Sequence, residues 1–390
     1  MKIYEIGTGY TPIPAQMGAA TEIVVEELTR SFINIGQNVT IIDIKAQNRA
    51  KTDLPILEVS VPKMFTKTDV SLGIMHKLKR VVYSLSLANT LKKIIKKSDE
   101  KAVLHFHNQY NLYFFLKLVP KKLRDKVTVA YTVHSYIWGT QWDEIKETVN
   151  KRYFQEIFCV QNADIVFVLN DITTDHFVKH LGVEKSKIRK VINGVNTKTY
   201  AEKTKEEIAS IKSELSLENK KVIFQVGSVC DRKNQLGTVT MLCDYLKEHR
   251  DVVFMYAGGV IDDEYQQSVV DFAKENGIES QVKYVGELSP GKELSNYYTV
   301  SDLSVFSSNL ESFGLVVIEA ISAGKTVLVA DKLMFDLDTG YEVYKTEEEF
   351  VEKVDAVLNK KLINNGRQEV IDKYDWDVVA TAHAMHFGDL

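Results

Sequence analysis

Glu311 follows the apolar run Leu303–Phe306, and Glu319 stands eight residues later inside the apolar stretch Leu315–Ala323. A carboxylate beside Ile318, Ala320 and Ile321 is costly to bury unless hydroxyls or a cation pair with it. Two carboxylates accepting hydrogen bonds from sugar hydroxyls would explain both residues. The plain alternative is two surface glutamates. Between them, Phe313, Gly314 and Leu315 open a predicted helix, and Gly314 lets backbone N–H groups come close to the same ligand.

A second loop, Gly227-Ser228-Val229-Cys230-Asp231-Arg232-Lys233-Asn234, lies between the apolar run Val222–Val226 and a predicted helix at Gln235–Lys247. A lysine at a helix N-terminus opposes the helix dipole and calls for an anion. Phosphate suits Lys233, Arg232 and the free N–H groups there, against the plain reading of a solvated lysine. His134 stands just past the run Val127–Thr132, where it can donate a hydrogen bond to a polar ligand or be an ordinary loop residue. The Gly/Pro-rich loop from Gly7 to Ala20 reaches a helix start near Gly18. It lacks the spacing of a dinucleotide turn and on its own reads as structural. Asp336-Leu337-Asp338 could hold a divalent cation between phosphates. It lies in an irregular segment far from Lys233, and no metal role is expected.

The elements that must position these residues alternate. Strands are predicted at Ile3–Ile6, Val39–Ile44, Val103–Phe106, Val127–Thr132, Ile165–Leu169 and Lys190–Ile192. In the second half they are predicted at Val222–Val226, Val252–Ala257, Val282–Val285, Leu303–Phe306 and Thr326–Ala330. Helical patterns fill most gaps, among them Gly18–Ile35 with a C-terminal Gly36. Short apolar strands alternating with helices imply parallel sheets covered on both faces, once in each half. The charged stretch after Asn193-Gly194-Val195-Asn196 marks a hinge near 197–205. In such sheets ligands bind outside the carboxyl ends of the strands, where every loop named above lies.

The chain has 390 residues, which suits two domains. Its 45% hydrophobic and 26% charged residues exclude collagenous, coiled-coil and disordered classes. Three scattered cysteines and no apolar leader point to a reducing, cytoplasmic setting. No run is long and apolar enough for a membrane helix. Net charge is −4, yet residues 1–196 hold 28 Lys+Arg against 19 Asp+Glu, a surplus of +9, and residues 197–390 stand at −13. The basic half is the expected side for an anionic partner. Within it, Lys67–Lys101 interleaves lysines with apolar residues. That pattern suits either a core-packed helix or one lying on an anionic membrane.

Taken together, Glu311-Ser312-Phe313-Gly314 with Glu319-Ala320, the Gly227–Lys233 loop, His134, Asn193-Gly194-Val195-Asn196 and Tyr374-Asp375-Trp376 resemble the retaining, nucleotide-sugar-dependent GT-B glycosyltransferases of family four. Three departures stand out. Ser228 replaces the family's arginine after Gly227, Ala19 follows Gly18 where the family has a second glycine, and no glycine-rich loop follows Val329-Ala330. The resemblance implies an α/β GT-B fold: two doubly wound Rossmann-like domains facing across a cleft, with a C-terminal helix crossing back to the first domain. The domains expected are 1–197 for the acceptor, 198–372 for the donor, and a returning helix at 373–390. It implies Lys233, Glu311 and His134 as catalytic. Gly18, Gly227, Ser228, Arg232, Phe313, Gly314, Leu315 and Glu319 become donor-binding: Lys233 on the diphosphate, Glu319 on ribose hydroxyls, Glu311 on the donor sugar. No metal and no cofactor is implied beyond the nucleotide-sugar donor, a UDP-sugar ahead of a GDP-sugar. The acceptor would be a glycan or a lipid-linked saccharide in surface polysaccharide or glycoconjugate synthesis. Peripheral contact at the inner face of the cell membrane and no nucleic-acid partner complete the expectation. Two alternatives carry weight: a GT-B nucleotide-sugar epimerase, and a non-catalytic adaptor that keeps the fold.

Overall fold

The structure is a computed structural model that describes residues 1–15, 19–66, 74–98, 100–311, 313–331 and 337–388. The chain divides into two compact units, Met1–Gly194 with Trp376–Leu390, and Val195–Asp375.

Unit 1 holds seven strands: β1 (Lys2–Ile6), β2 (Asn38–Ile44), β3 (Ile56–Val59), β4 (Ala102–Phe106), β5 (Val127–Thr132), β6 (Ile165–Val168) and β7 (Ile188–Lys190). They pair in parallel in the order β3-β2-β1-β4-β5-β6-β7. The order reverses between β1 and β4, so connections leave in opposite directions there and open a crevice at the carboxyl ends. Unit 2 repeats the plan with β8 (Lys221–Val226), β9 (Val252–Ala257), β10 (Val282–Tyr284), β11 (Leu303–Phe306), β12 (Val327–Ala330) and β13 (Tyr341–Tyr344). Their order is β10-β9-β8-β11-β12-β13, again parallel, with the reversal between β8 and β11.

Central strands such as β4, β6, β9 and β11 are buried along their whole length, as a sheet covered on both faces requires. The predicted strands match this centre. The edges differ. β3 and β13 escaped the sequence reading because Ile-Leu-Glu-Val and Tyr-Glu-Val-Tyr are half-exposed and carry no continuous apolar run. The strand expected at Lys190–Ile192 lies instead at Ile188–Lys190, at the sheet edge.

The last helix, Trp376–Gly388, belongs to unit 1 and packs on the helix Ala20–Asn34, where Phe387 meets Phe32 with ring centroids 6.0 Å apart. Among the described residues no helix is long and apolar enough to cross a membrane.

The turn after β5 is held from below by one buried carboxylate. Glu156, on the helix Phe154–Asn162, accepts from Tyr131 Oη at 2.8 Å, Ser135 Oγ at 2.9 Å and Trp138 Nε1 at 3.0 Å. Burial pushes its carboxyl up, and the three donors oppose the shift. Each buried donor left without an acceptor costs about 1–3 kcal/mol. Glu156→Ala is therefore expected to lose several kcal/mol of unfolding free energy in urea, and Glu156→Gln, which keeps one acceptor oxygen, clearly less. Equal losses would remove the hydrogen bonds as the cause.

Candidate functional site

In unit 2 two strand-end loops are tied together. The loop after β8 forms a short 3₁₀ turn, Asp231–Lys233, which ends at Asn234 in the left-handed conformation before the helix Gln235–Glu248. Gln225 on β8 donates to Lys233 O at 2.8 Å and Ser307 Oγ at 3.2 Å. Asn309 N donates to Arg232 O at 2.7 Å, and Thr238 Oγ1 lies 2.6 Å from Ser307 Oγ. The loops after β8 and β11 thus share one register. Gly258, at φ +139°, brings the loop after β9 against them, since a Cβ there would stand 2.1 Å from Gly227 O. Gln235 Nε2 donates to the carbonyls of Gly227 and Ser228 at 3.3 and 3.1 Å.

On this platform the charges converge. Lys233 Nζ lies 2.5 Å and Arg232 Nη1 2.6 Å from the same oxygen, Oε1 of Glu311. Arg232 also donates to Leu310 O at 3.0 Å. The Lys233 and Glu311 side chains are only 13% and 14% exposed, so the pair is largely desolvated. Two cations on one carboxylate leave a net positive charge. The anion that Lys233 calls for is here a side chain of the next loop. The Lys233 stem passes along Gly227, and its ammonium lies 5.7 Å from the Phe306 ring centre.

Gly314 follows, in the left-handed conformation (φ +85°, ψ +56°), as N-cap of the helix Leu315–Ser322. Among the described residues no side chain caps that helix, and no acidic residue occupies its first turn. Phe313 leans toward Tyr374 at 6.0 Å. Glu319, one turn further in, accepts from Tyr298 Oη at 3.1 Å. Burial pushes its carboxyl up to about 7, against the Tyr298 and Tyr200 hydroxyls that favour the ionised form.

Unit 1 carries a different cluster at the switch between β1 and β4. His134, half-exposed after β5, places Nε2 3.0 Å from Nδ1 of His107. His107 Nε2 lies 2.7 Å from Glu5 Oε2, and His105 Nδ1 lies 2.8 Å from Glu5 Oε1. Glu5, His105 and His107 are buried and bring three ligand-type atoms within 4.8 Å of one another, the arrangement able to hold a metal among the described residues. Sequence reading passed over these three. Their signal was a glutamate inside the apolar run of β1 and a His-x-His at the end of β4, but only the pairing of Glu5 with His105 in neighbouring strands joins them. Gly18 lies outside the described residues, as do Ser312 and Asp336. The loop leading to Gly18 is anchored: Tyr83 Oη and Asn111 Nδ2 donate to Gly7 O, both at 3.1 Å. Of the predicted site residues, Gly227, Ser228, Arg232, Lys233, Glu311, Phe313, Gly314, Leu315 and Glu319 fall in unit 2, and His134 in unit 1.

Residues 21–199 match the family described as Glycosyltransferase Family 4, and residues 206–374 match Glycosyl transferases group 1. The chain is 24% identical to spore coat protein SA of Bacillus subtilis, over 97% of each chain. Over 30% of its length it is 31% identical to a lipopolysaccharide 1,2-N-acetylglucosaminetransferase of Salmonella typhimurium, covering 33% of that protein. Its fold is similar to sucrose-phosphate synthase from Thermosynechococcus elongatus, with a TM-score of 0.74 and 17% identity over 100% of this chain and 98% of that one. It is also similar to HepE of Anabaena in complex with UDP and glucose, with a TM-score of 0.70 and 14% identity over 100% of both chains.

The raised Glu319 carboxyl has a signed consequence. The folded state holds the proton more tightly than the unfolded chain, so this contribution to stability is full below about 4.5 and is lost as pH rises through about 7. Glu319→Gln removes that decline. The stability of the variant relative to the parent should therefore rise between those pH values in urea titrations. Glu22, also pushed up to about 7 by burial, titrates in both proteins and cancels. A difference that stays level with pH would show that Glu319 is not desolvated.

Proposed function

We propose, for a chain that belongs to the family-four glycosyltransferases of the GT-B fold, that it moves a hexosyl group from a UDP-sugar to an acceptor hydroxyl, with retention of configuration and without a metal. The observation that carries this reading is the convergence of Lys233 and Arg232 on Glu311 beside two helix N-termini at the switch point of the second sheet. A diphosphate is the ligand that competes for that ammonium and for open backbone N–H groups. Once the diphosphate takes Lys233, the Glu311 carboxylate is released to accept from hydroxyls of the donor sugar. Glu319, held near neutral titration beside Tyr298, is assigned to the ribose hydroxyls. The backbone at Gly227, Ser228, Phe313, Gly314 and Leu315 frames the donor, and Gly18 and His134 are assigned to ligand contact in unit 1.

In the proposed step the bond from the anomeric carbon to the phosphate oxygen breaks. The leaving oxygen takes the proton of the acceptor hydroxyl, and that hydroxyl oxygen bonds the anomeric carbon from the same face. Lys233 and Arg232 stabilise the negative charge that grows on the leaving diphosphate, a contribution typically worth about 10²–10³ in rate per donor.

A surface-polysaccharide or glycoconjugate acceptor is supported by the names of the relatives. The helix Ile74–Lys97 favours a lipid-linked one. Ile74, Leu78, Val81 and Leu85 fall on one stripe of that helix and are exposed, Ile74 at 84%. Lys77, Lys93, Lys96 and Lys97 are exposed on the same helix. An apolar stripe with lysines suits an anionic bilayer surface.

Lys233→Ala and Glu311→Ala are each expected to lower transfer from UDP-glucose by about 10²–10³, with circular dichroism unchanged. Parental activity in both would overturn the site. A new epimer formed without acceptor would favour the isomerase alternative, and no calorimetric binding of UDP would favour the adaptor. On the membrane face, the parent should float with phosphatidylglycerol vesicles and Leu78→Glu/Val81→Glu should not. Equal flotation would remove the stripe as the contact.

A further inference from the structure

The cluster around Glu5 takes no part in the step above. One buried carboxylate receives two imidazoles, His105 Nδ1 on Oε1 at 2.8 Å and His107 Nε2 on Oε2 at 2.7 Å. The second nitrogen of His105 lies 2.7 Å from Thr132 Oγ1, and that of His107 lies 3.0 Å from His134 Nε2. His383 of the last helix faces His105 at 5.7 Å between ring centres and donates its own Nδ1–H to Val379 O at 2.8 Å. Glu5, His105, His107, His134 and His383, drawn from β1, the end of β4, the turn after β5 and the last helix, are the titratable groups in contact here.

A metal is the first chemistry such a triad suggests. Ligands about 2.0–2.1 Å from a tetrahedral zinc lie more than about 3 Å from one another. The two nitrogens here sit nearer than that to the carboxylate, at hydrogen-bond length.

Hydrogen bonds therefore set the protons. An ionised carboxylate only accepts, so His105 carries its proton on Nδ1 and His107 on Nε2. Burial works against the Glu5 charge, but the two imidazoles outweigh it and hold the carboxyl below its ordinary range. Burial also lowers His107, to about 4, and His134 well below the ordinary imidazole range, so both rings are neutral at pH 7. A neutral imidazole has one N–H. With its proton committed to Glu5, His107 offers a lone pair at Nδ1, and His134 must supply the proton of the 3.0 Å bond from Nε2. His134 Nδ1 is then bare, and no described residue bonds it.

We infer that Glu5 and His107 are positioning residues: two hydrogen bonds in series fix His134 as an acceptor, which selects a ligand group that donates, a hydroxyl, over an anion. Resting on the transferase reading, the ligand is a neutral saccharide hydroxyl. A lone pair turned toward a phosphate oxygen would repel it, so His134 serves the sugar or the acceptor and not the diphosphate.

The test reads the tautomer directly. Long-range ¹H–¹⁵N spectra of the full chain labelled at histidine nitrogens, with His134 assigned by its loss in His134→Asn, should show Nε2–H and a bare Nδ1 at neutral pH. In Glu5→Gln the amide can donate to His107 Nε2. His107 then protonates at Nδ1, and His134, two bonds away, should gain an Nδ1–H population. A His134 that carries Nδ1–H in the parent, or that stays unchanged in a folded Glu5→Gln, overturns the inference. The parental spectrum decides it even if that variant does not fold. Zinc chloride that shifts His105 and His107 together at stoichiometric addition would overturn it in favour of a metal site. Because the tautomer is read without ligand, failure of UDP-glucose to bind would count against the transferase reading alone.

Discussion

The ion pair of Glu311 with Lys233 and Arg232 is the interaction on which the arrangement of unit 2 turns. At 13% and 14% exposure, Lys233 or Glu311 alone would pay a desolvation cost of several kcal/mol with nothing to repay it. Their mutual neutralisation lets a cation sit at the start of the helix Gln235–Glu248, where the dipole disfavours it. It also explains why the loops after β8 and β11 are so heavily cross-tied. Gln225, Thr238, Ser307 and Asn309 hold the two loops in one register, so that the acid and the amines meet at one oxygen.

The first sheet meets the same topological situation with the opposite electrostatics. Its switch point, between β1 and β4, is filled by one carboxylate and the imidazoles of His105, His107 and His134, and the charge of Glu5 is consumed internally. A half-exposed His134 beside such a cluster offers direction rather than charge. Glu156 adds to this from beneath, since its three hydrogen bonds include Ser135, the neighbour of His134. One sheet thus presents paired charge at its carboxyl edge, and the other a hydrogen-bond polarity.

What the sequence made legible follows from how local each signal is. Central strands announce themselves as unbroken apolar runs, because both their faces are covered, and the parallel architecture follows from their alternation with helices. The edge strands β3 and β13 carry no such run, because one side of each is open. The meeting of Lys233 with Glu311 was not legible either. The family resemblance assigns them to the diphosphate and the sugar of one donor without pairing them, whereas the structure sets them 2.5 Å apart. Glu5 and His105 were invisible as a pair for the same reason: about a hundred positions separate them, and only the register of β1 on β4 makes them neighbours.

This contrast bears on how a polar residue in a strand should be read. A charged residue inside an apolar run such as that of β1 looks, from the sequence alone, like a weakness in the strand. A parallel sheet tolerates it only where a neighbouring strand brings hydrogen-bond donors to the same level. The cost of burying Glu5 is therefore itself information. It requires donors from β4 and the residue just past its end, and His105 and His107 supply both, which leaves each imidazole with a single remaining function at its far nitrogen. For His105 that nitrogen is spent on Thr132, inside the sheet. For His107 it faces His134, and through that residue the buried carboxylate acts at the carboxyl edge of the sheet, where ligands of this architecture bind.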